Sequence, residues 1–228
     1  MVIRLKLEKR ECDIKVKVTP VGGDFQQIKF KIGEDFHEFW PSAIMNMQFS
    51  QLIAAIYYLY NDCHEVQVWY SDKRMFSHDY DSVSKRHILS SRVLWDEEGR
   101  FDDIRFTRKR KHYGLPITQE DDVIEIDIIY HGGKYHYEVF GRDLCYAISK
   151  AATEVLKKYG FYGYIASSTS QHGYGEEFSI NELLFLKAHA LGSMEVRKLV
   201  TAWRDPKGWK NAEVSSFEKE MELLMFDM

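Results

Sequence analysis

The sequence predicts an α+β fold in which antiparallel β-hairpins pack under helices. Two observations lead to this prediction. Apolar and charged residues alternate on both sides of two glycine pairs, Gly22-Gly23 and Gly132-Gly133, and each alternating segment is followed by apolar residues at helical spacing. Because glycine tolerates the positive φ angles of tight hairpin turns, each pair marks a turn. We therefore expect two similar hairpin–helix units followed by a C-terminal helical cap.

In the first unit, residues 14–18 and 26–32 are predicted to form the two strands of the hairpin. Period-two alternation buries one face of a sheet and leaves the other in water. The predicted buried residues are Ile14, Val16, Val18, Ile28, Phe30 and Ile32, and the predicted water-facing residues are Lys15, Lys17, Lys29 and Lys31. A helix over 42–60 follows, and Pro41 suits its start. A further strand is expected at 65–71.

The second unit repeats this plan, with strands predicted at 123–130 and 134–140. The predicted buried face carries Ile124, Ile126, Ile128, Tyr135, Tyr137 and Val139, and the water-facing side carries Glu125 and Asp127. The helix over 144–159 is expected to end at Gly160, because glycine readily adopts the left-handed conformation that closes many helices. A strand over 162–167 is expected to follow it.

The charged stretch 72–116 is interpreted as an insertion in the first unit. Within it, residues 91–95 and 103–108 alternate in the manner of strands and are predicted to pair across a turn near Gly99. The best boundary between the two units lies near Pro116, before three consecutive acids. The first unit therefore covers residues 1–117 and the second covers residues 118–178.

The last part of the chain, residues 179–228, is predicted to be helical. Ser179-x-x-Glu182 and Ser215-x-x-Glu218 are capping boxes, in which each side chain satisfies a backbone N–H group at the start of a helix. The first of these helices is expected to end at Gly192, and another is expected to run from 193 to about 204. All three parts are expected to belong to one compact domain.

The composition indicates a folded protein of a reducing compartment. The chain has 228 residues, 45% apolar and 29% charged, with a net charge of −4, which excludes a disordered or collagen-like protein. Its longest apolar run, residues 52–60, is about half of what a membrane-spanning helix needs. The N-terminus lacks a signal-peptide pattern, and the three distant cysteines form no CxxC pair. We expect a cytoplasmic protein without a membrane partner.

Sequence motifs of the common catalytic and cofactor sites are absent. The chain contains no G-x-S-x-G nucleophile turn, no G-x-x-x-x-G-K-[ST] phosphate loop, no G-x-G-x-x-G pattern and no H-E-x-x-H pattern. His78, Asp79, Asp81 and His87 lie within ten residues but are interpreted as polar residues of the charged insertion. We therefore expect no cofactor and no metal, and we assign no catalytic residue.

The segment 161–177 is predicted to form a recognition surface. It combines Tyr and Phe rings with Gly, Ser and Thr, a composition typical of adaptable binding surfaces. Its candidate partner contacts are Tyr162, Tyr164, His172 and Tyr174. The leading hypothesis is a non-catalytic protein-binding module whose partner is another protein. Bacterial toxin-neutralising immunity proteins are one class with this broad profile, although no motif identifies the chain as one of them.

An enzyme acting on a small molecule is the first alternative. Its site would be dispersed along the chain, with His136, Ser168, His172 and Glu176 as acid–base or substrate-orienting groups. These residue types supply proton transfer and hydrogen bonding, but their positions in the sequence do not by themselves bring them together.

Nucleic-acid binding through the basic segment 105–112 is the second alternative. Arg108 and Arg110 are its candidate contacts, because cations at this density can follow a phosphate backbone. The same two residues are also candidate contacts for a protein partner. Acids on both sides outnumber these cations, so nucleic acid is not expected as the main partner. An exposed edge strand that uses charge to avoid unwanted pairing explains the same residues.

The final helix offers a further contact. Phe217, Met221, Leu224 and Met225 are predicted to share one face of it, at a spacing that suits either a core or a groove. We expect this face to pack on the same domain, and we keep a homodimer contact through it as an alternative.

Overall fold

A computed structural model describes residues 13–22, 25–41, 49–60, 69–70, 73–74, 76–97, 100–111, 117–168, 180–192 and 217–228. The strands are β1 (Ile14–Gly22), β2 (Phe25–Ile32), β3 (Asp35–Phe39), β4 (Trp69–Tyr70), β5 (Lys73–Arg74), β6 (Phe76–Asp81), β7 (Arg86–Glu97), β8 (Arg100–Arg110), β9 (Val123–Tyr130) and β10 (Gly133–Phe140). The helices are α1 (Phe49–Tyr58), a 3₁₀ turn (Glu120–Asp122), α2 (Gly141–Ser168), α3 (Ile180–Ala190) and α4 (Phe217–Met225). The α+β prediction is confirmed.

The first predicted hairpin is present and belongs to a three-stranded antiparallel sheet of order β1-β2-β3. Val18 lies opposite Ile28, and the six residues predicted to face the core are all buried. The third strand was not predicted. It brings His37 and Phe39 to the buried face, where Phe39 packs 5.1 Å from the ring of Trp95.

The second predicted hairpin is also present, but its turn lies one residue earlier than predicted. Gly133 pairs with Tyr130, so the two turn residues are His131 and Gly132, with φ angles of 50° and 77°. Two positive φ angles in a two-residue loop suit the right-handed twist of the flanking strands. The register keeps Tyr137 opposite Ile126. On the face predicted to be buried, the three isoleucines of β9 are buried, but Tyr137 and Val139 of β10 are half-buried and Tyr135 is 40% exposed, because β10 lies at the edge of the sheet.

The predicted hairpin within the charged stretch is confirmed, with Ser91 opposite Phe106, but it is not a peripheral insertion. The second sheet has the order β10-β9-β8-β7-β6, and Ile104 of β8 pairs with Ile128 of β9. The expectation of an exposed edge strand at 105–112 is therefore wrong. The apolar residues Ile104 and Phe106 alternate inward and place β8 in the middle of the sheet.

The two hairpin–helix units are not equivalent, because their hairpins lie in different sheets. The predicted helix over 144–159 is confirmed within α2, and Gly160 interrupts it with φ 66° and ψ 174°. The backbone then resumes a helical course to Ser168, so the predicted strand over 162–167 is wrong. A six-residue alternation is too short to separate a strand from a helix. The non-helical backbone of Gly160 ends the first helical segment of α2, as predicted, and a second helical segment follows it.

The C-terminal helices follow the prediction in part. α3 and the turn at Gly192 agree with the expected helix. On the predicted face of α4, Leu224 is buried as expected, whereas Met221 and Met225 are not. Met221 and Met225 are 36% and 66% exposed, and the buried residues are Leu223, Leu224 and Met228. Lys187 of α3 donates hydrogen bonds to the carbonyl groups of Leu224 and Phe226 at this end of the chain. The homodimer contact stays a prediction.

Several predicted elements lie wholly or partly outside the described residues. They are the start of the helix over 42–60, most of the strand over 65–71, both capping serines and the helix over 193–204. Buried apolar residues of both larger sheets and all described helices form one continuous core. No described helix is both long enough and apolar enough to cross a bilayer.

Candidate functional site

The carboxylate of Asp122 is the centre of a buried polar cluster. Its Oδ1 atom accepts a hydrogen bond of 2.7 Å from the hydroxyl of Tyr60 and lies 2.9 Å from Nε2 of His189. Its Oδ2 atom accepts a hydrogen bond of 3.0 Å from the backbone N–H of Arg142, in the first turn of α2. Three distant parts of the chain therefore meet at one carboxylate.

The electrostatics of the cluster favour an ionised Asp122. Burial disfavours the charge, but the bonds from His189 and Tyr60 and the charge of Arg108 outweigh that cost and lower the pKa of Asp122. For Tyr60, burial and the neighbouring Asp122 both raise the pKa well above its ordinary value. Tyr60 therefore stays a neutral hydrogen-bond donor at physiological pH.

Arg108 supports the cluster from the middle of the sheet. Its Nε atom donates to the carbonyl of Asp121 at 2.6 Å, its Nη1 atom donates to the carbonyl of Leu59 at 3.0 Å, and its guanidinium lies 4.4 Å from the ring centre of Tyr60. Burial lowers the pKa of Arg108. The buried cation ties β8 to the end of α1 and to the 3₁₀ turn, and it balances the nearby carboxylates.

His189 lies in the last turn of α3, where the helix dipole favours a positive charge. Its ring is 4.4 Å from the ring of Tyr60 and is stacked on Phe185 at 6.3 Å. A carboxylate accepts but does not donate hydrogen bonds, so the contact with Asp122 places a proton on Nε2 of His189. The carboxylate therefore fixes the tautomer and the orientation of the imidazole.

A cavity of about 450 Å³ opens beside this pair. It is lined by Ile117, Thr118, Gln119, Asp122, Phe140, Arg142, His189 and Gly192. Arg142 donates from Nε to the carbonyl of Ala190 at 2.9 Å, and its guanidinium covers Gly192, where a Cβ atom would lie 2.8 Å from Cζ. The wall therefore combines a cation, an imidazole and a carboxylate with two apolar side chains.

The sequence-predicted arginines occupy the interior. Arg108 and Arg110 are 1% and 2% exposed, so neither can follow a phosphate backbone or contact a protein partner at the surface. Their side chains alternate inward with Phe106 on the central strand β8, and this alternation buries them. The interpretation of Arg108 and Arg110 as surface contacts is therefore corrected.

The other candidate residues are distributed differently. Tyr162 and Tyr164 lie in the helical segment after Gly160, with side chains outside the described residues. His172, Tyr174 and Glu176 also lie outside the described residues, and of Ser168 only the helical backbone is described.

His136 is exposed on β10, with Nδ1 2.8 Å from Oδ1 of Asp127. The hydrogen bond to Asp127 raises the pKa of His136 and outweighs the opposing effect of desolvation. His136 lines a separate, smaller cavity of about 210 Å³ together with Tyr135 and Arg105. It is not among the residues that line the cavity beside His189.

Sequence reasoning missed the residues that converge on the cavity. Asp122 was counted only among consecutive acids, and Tyr60 only within an apolar helix. The available signal was a histidine, His189, on a helix whose other residues are mostly apolar, because a buried histidine needs a polar partner.

The described residues thus define an α+β protein with a buried polar cluster beside a cavity at the meeting ends of two helices. Comparison with protein-family models, with curated proteins and with solved structures finds no match to this chain. The residues that line the cavity are therefore the candidate functional site.

Proposed function

We propose that the chain binds a small anionic molecule in the cavity beside His189 and exchanges a proton with it. The observation that carries this proposal is the contact of 2.9 Å between Nε2 of His189 and Oδ1 of Asp122 in the cavity wall. A concave site with a few convergent polar groups is the usual form of a small-molecule site. The proposal belongs to the enzyme alternative, with different residues from those selected by sequence.

Arg142 supplies the attraction for an anion. Its Nε atom is bonded to the carbonyl of Ala190, and no carboxylate among the described residues forms an ion pair with its guanidinium. The planar fork of N–H groups matches a carboxylate or a phosphate. We therefore expect the anionic group of the ligand to lie against Arg142, with Thr118 and Gln119 as additional polar contacts.

His189 supplies the proton transfer. An imidazole held by a carboxylate is a common general base, because the carboxylate orients the ring and stabilises its protonated form. Tyr60 and the N–H of Arg142 hold the carboxylate of Asp122 in place, so the pair does not need to reorganise when a ligand arrives. The ligand should therefore present an acidic proton, or a water to be activated, within reach of His189.

Ligand binding is tested by thermal unfolding with inorganic phosphate and with a panel of small mono-, di- and tricarboxylates at 10 mM. At least one anion should raise the Tm, since a ligand that binds only the folded state stabilises it. Arg142→Gln should weaken the binding at least tenfold. Lys150→Gln is the matched control, because it removes a charge from an exposed position of the same helix. Binding by Arg142→Gln equal to wild type, or no response to any anion, overturns the proposal.

The role of His189 is tested by NMR of its ring nitrogens. Addition of the anion that raises the Tm should shift the ring signals of His189, and Asp122→Asn should change their titration curve in the free protein. His136, which lies on β10 and is bonded to Asp127, serves as an internal control whose signals should not respond to the anion. Unchanged His189 signals at saturating anion would exclude proton exchange with the ligand.

Protein binding is the second candidate function, and exposed rings favour it. Phe36, Tyr135 and Phe140 are 57%, 40% and 42% exposed, and large aromatic side chains are frequent anchors of protein interfaces. Recognition through Tyr162, Tyr164, His172 and Tyr174 stays a prediction. A toxin-neutralising role is one form of this candidate, and the buried free thiol of Cys145 is compatible with the proposed cytoplasmic location.

The second candidate is tested with the purified product of a neighbouring toxin-like gene. Alanine at Tyr162, Tyr164 or Tyr174 should raise the Kd of the complex with this product about tenfold, which is the effect of losing one interface anchor. The free energy of unfolding of the chain should stay unchanged. Equal Kd values for wild type and all three variants would remove this segment from the interface.

A further inference from the structure

β10 forms one edge of the five-stranded sheet. Among the described strands it pairs with β9 alone, in a continuous register from Gly133 opposite Tyr130 to Phe140 opposite Val123. Each of its eight residues is exposed or half-buried. The free side of such a strand presents a row of backbone N–H and C=O groups that can pair with another strand.

β10 lacks two of the devices that usually prevent edge pairing. It contains no proline, and its register with β9 shows no bulge. The edge strand β1 of the smaller sheet differs in both respects, because it contains Pro20 and its register shifts between Pro20 and Gly22. Proline and bulges both interrupt edge pairing. β10 is therefore more suitable than β1 for adding a strand.

We propose that β10 pairs antiparallel with β10 of a second copy of this chain, with Tyr137 at the two-fold axis. The five-stranded sheet then continues into the second copy. In this register, His136 of each copy lies opposite Glu138 of the other, and Tyr135 lies opposite Val139. The inference does not depend on the proposed ligand site.

Charge complementarity supports a second copy as the occupant. On the outer face of the sheet, Nδ1 of His136 is already bonded to Asp127, which leaves Nε2 as the ring nitrogen for a carboxylate of the second copy. Opposite charges directly across two strands stabilise their pairing, and two-fold symmetry forms each such pair twice. The same face already holds the ion pair between Lys109 and Glu125.

The inner face of β10 supports the same register. The hydroxyl of Tyr137 lies within hydrogen-bond distance of His37 and Asp35 of the same chain, so this face is partly covered already. Tyr135 is 40% exposed, and Val139 and Tyr137 are half-buried, so pairing would cover the apolar surface that one copy still leaves in water. Aromatic residues opposite β-branched residues are favourable cross-strand pairs. Each copy then contributes a ring and a branched side chain to the extended buried face.

A charge-swap experiment followed by sedimentation velocity tests this inference. Wild type should change from monomer to dimer as the protein concentration rises from about 1 to about 200 µM, a range on the order of the Kd values of transient interfaces. His136→Glu and Glu138→Lys should each weaken the dimer about tenfold, because each change places like charges opposite each other twice. The double variant restores opposite charges and should return the Kd to within about threefold of wild type.

Asp79→Lys is the matched control, because it changes a charge on β6 at the other edge of the same sheet. It should leave the dimer unchanged. The inference is overturned if wild type stays monomeric at 200 µM, if Asp79→Lys weakens the dimer as much as His136→Glu, or if the double variant is not restored. The last result also excludes the proposed register, because only that register places residue 136 of each copy opposite residue 138 of the other.

Discussion

His189 and Asp122 are 67 positions apart in the chain, yet Nε2 of the histidine lies 2.9 Å from Oδ1 of the aspartate. The contact joins the C-terminal end of α3 to the N-terminal end of α2, because Asp122 also accepts the backbone N–H of Arg142. A carboxylate is favoured at a helix start and a protonated imidazole at a helix end. One pair therefore stabilises two helix ends and faces a cavity.

The first prediction concerns the coupling between these two residues. Asp122→Asn should destabilise the protein by about 2–4 kcal/mol, because the buried cation of Arg108 loses a nearby charge. His189→Gln should cost about 1–2 kcal/mol. Urea denaturation should show that the double variant loses less than the sum of the two. Additive losses, within about 0.3 kcal/mol, would show that the residues are not coupled.

The second prediction concerns Gly141, where the backbone passes close to the cluster. A Cβ atom there would lie 1.7 Å from the hydroxyl oxygen of Tyr60 and 2.8 Å from Oδ1 of Asp122. Gly141→Ala should therefore destabilise the protein by about 2 kcal/mol or more, on the scale of overpacking. The same change should cost less when Tyr60→Phe has removed the hydroxyl. An equal cost in both backgrounds would place the strain elsewhere.

The third prediction compares two neighbouring arginines on opposite faces of β8. Arg108 is buried and donates to two carbonyl oxygens, whereas the side chain of Arg105 is 51% exposed. Arg108→Gln should lower the free energy of unfolding by about 2–4 kcal/mol. Arg105→Gln is the matched control and should change it by about 0.5 kcal/mol or less. Similar losses for both would contradict the buried role of Arg108.

The fourth prediction concerns Lys187, which donates to the carbonyl groups of Leu224 and Phe226 at the end of α4. Burial, together with the charge of Lys157, lowers the pKa of Lys187 to about 8, and Asp227 opposes this shift in part. An unfolded lysine titrates near 10.4. Between these values the unfolded state binds more protons, so stability increases with pH.

The measurement is the free energy of unfolding at pH 8.5 and 9.5. Wild type should gain about 1 kcal/mol over this interval relative to Lys187→Met. Lys150→Met, at an exposed position, should follow wild type. If wild type and Lys187→Met change in parallel, Lys187 does not titrate in this window.

The sequence by itself determined the local elements wherever one periodicity was clear. The alternation around Ile28 and Phe30 predicts the first hairpin, and the apolar stripe around Ile148 predicts α2. Around Tyr162 and Tyr164 the pattern was short and fitted both the two-residue period of a strand and the 3.6-residue period of a helix. The strand predicted there was therefore wrong. Local patterns report on which face of an element is apolar, because that depends only on neighbours in the chain.

The tertiary structure alone decided the order of the strands, the burial of Arg108 and Arg110, and the meeting of Tyr60, Asp122 and His189. None of these follows from periodicity, because each depends on contacts between residues far apart in the chain. A basic alternating strand is compatible with a sheet edge or a sheet centre. Here the apolar partners of β8 on both sides place it in the centre, and the buried Arg108 donates to carbonyl groups at the end of α1 and in the 3₁₀ turn.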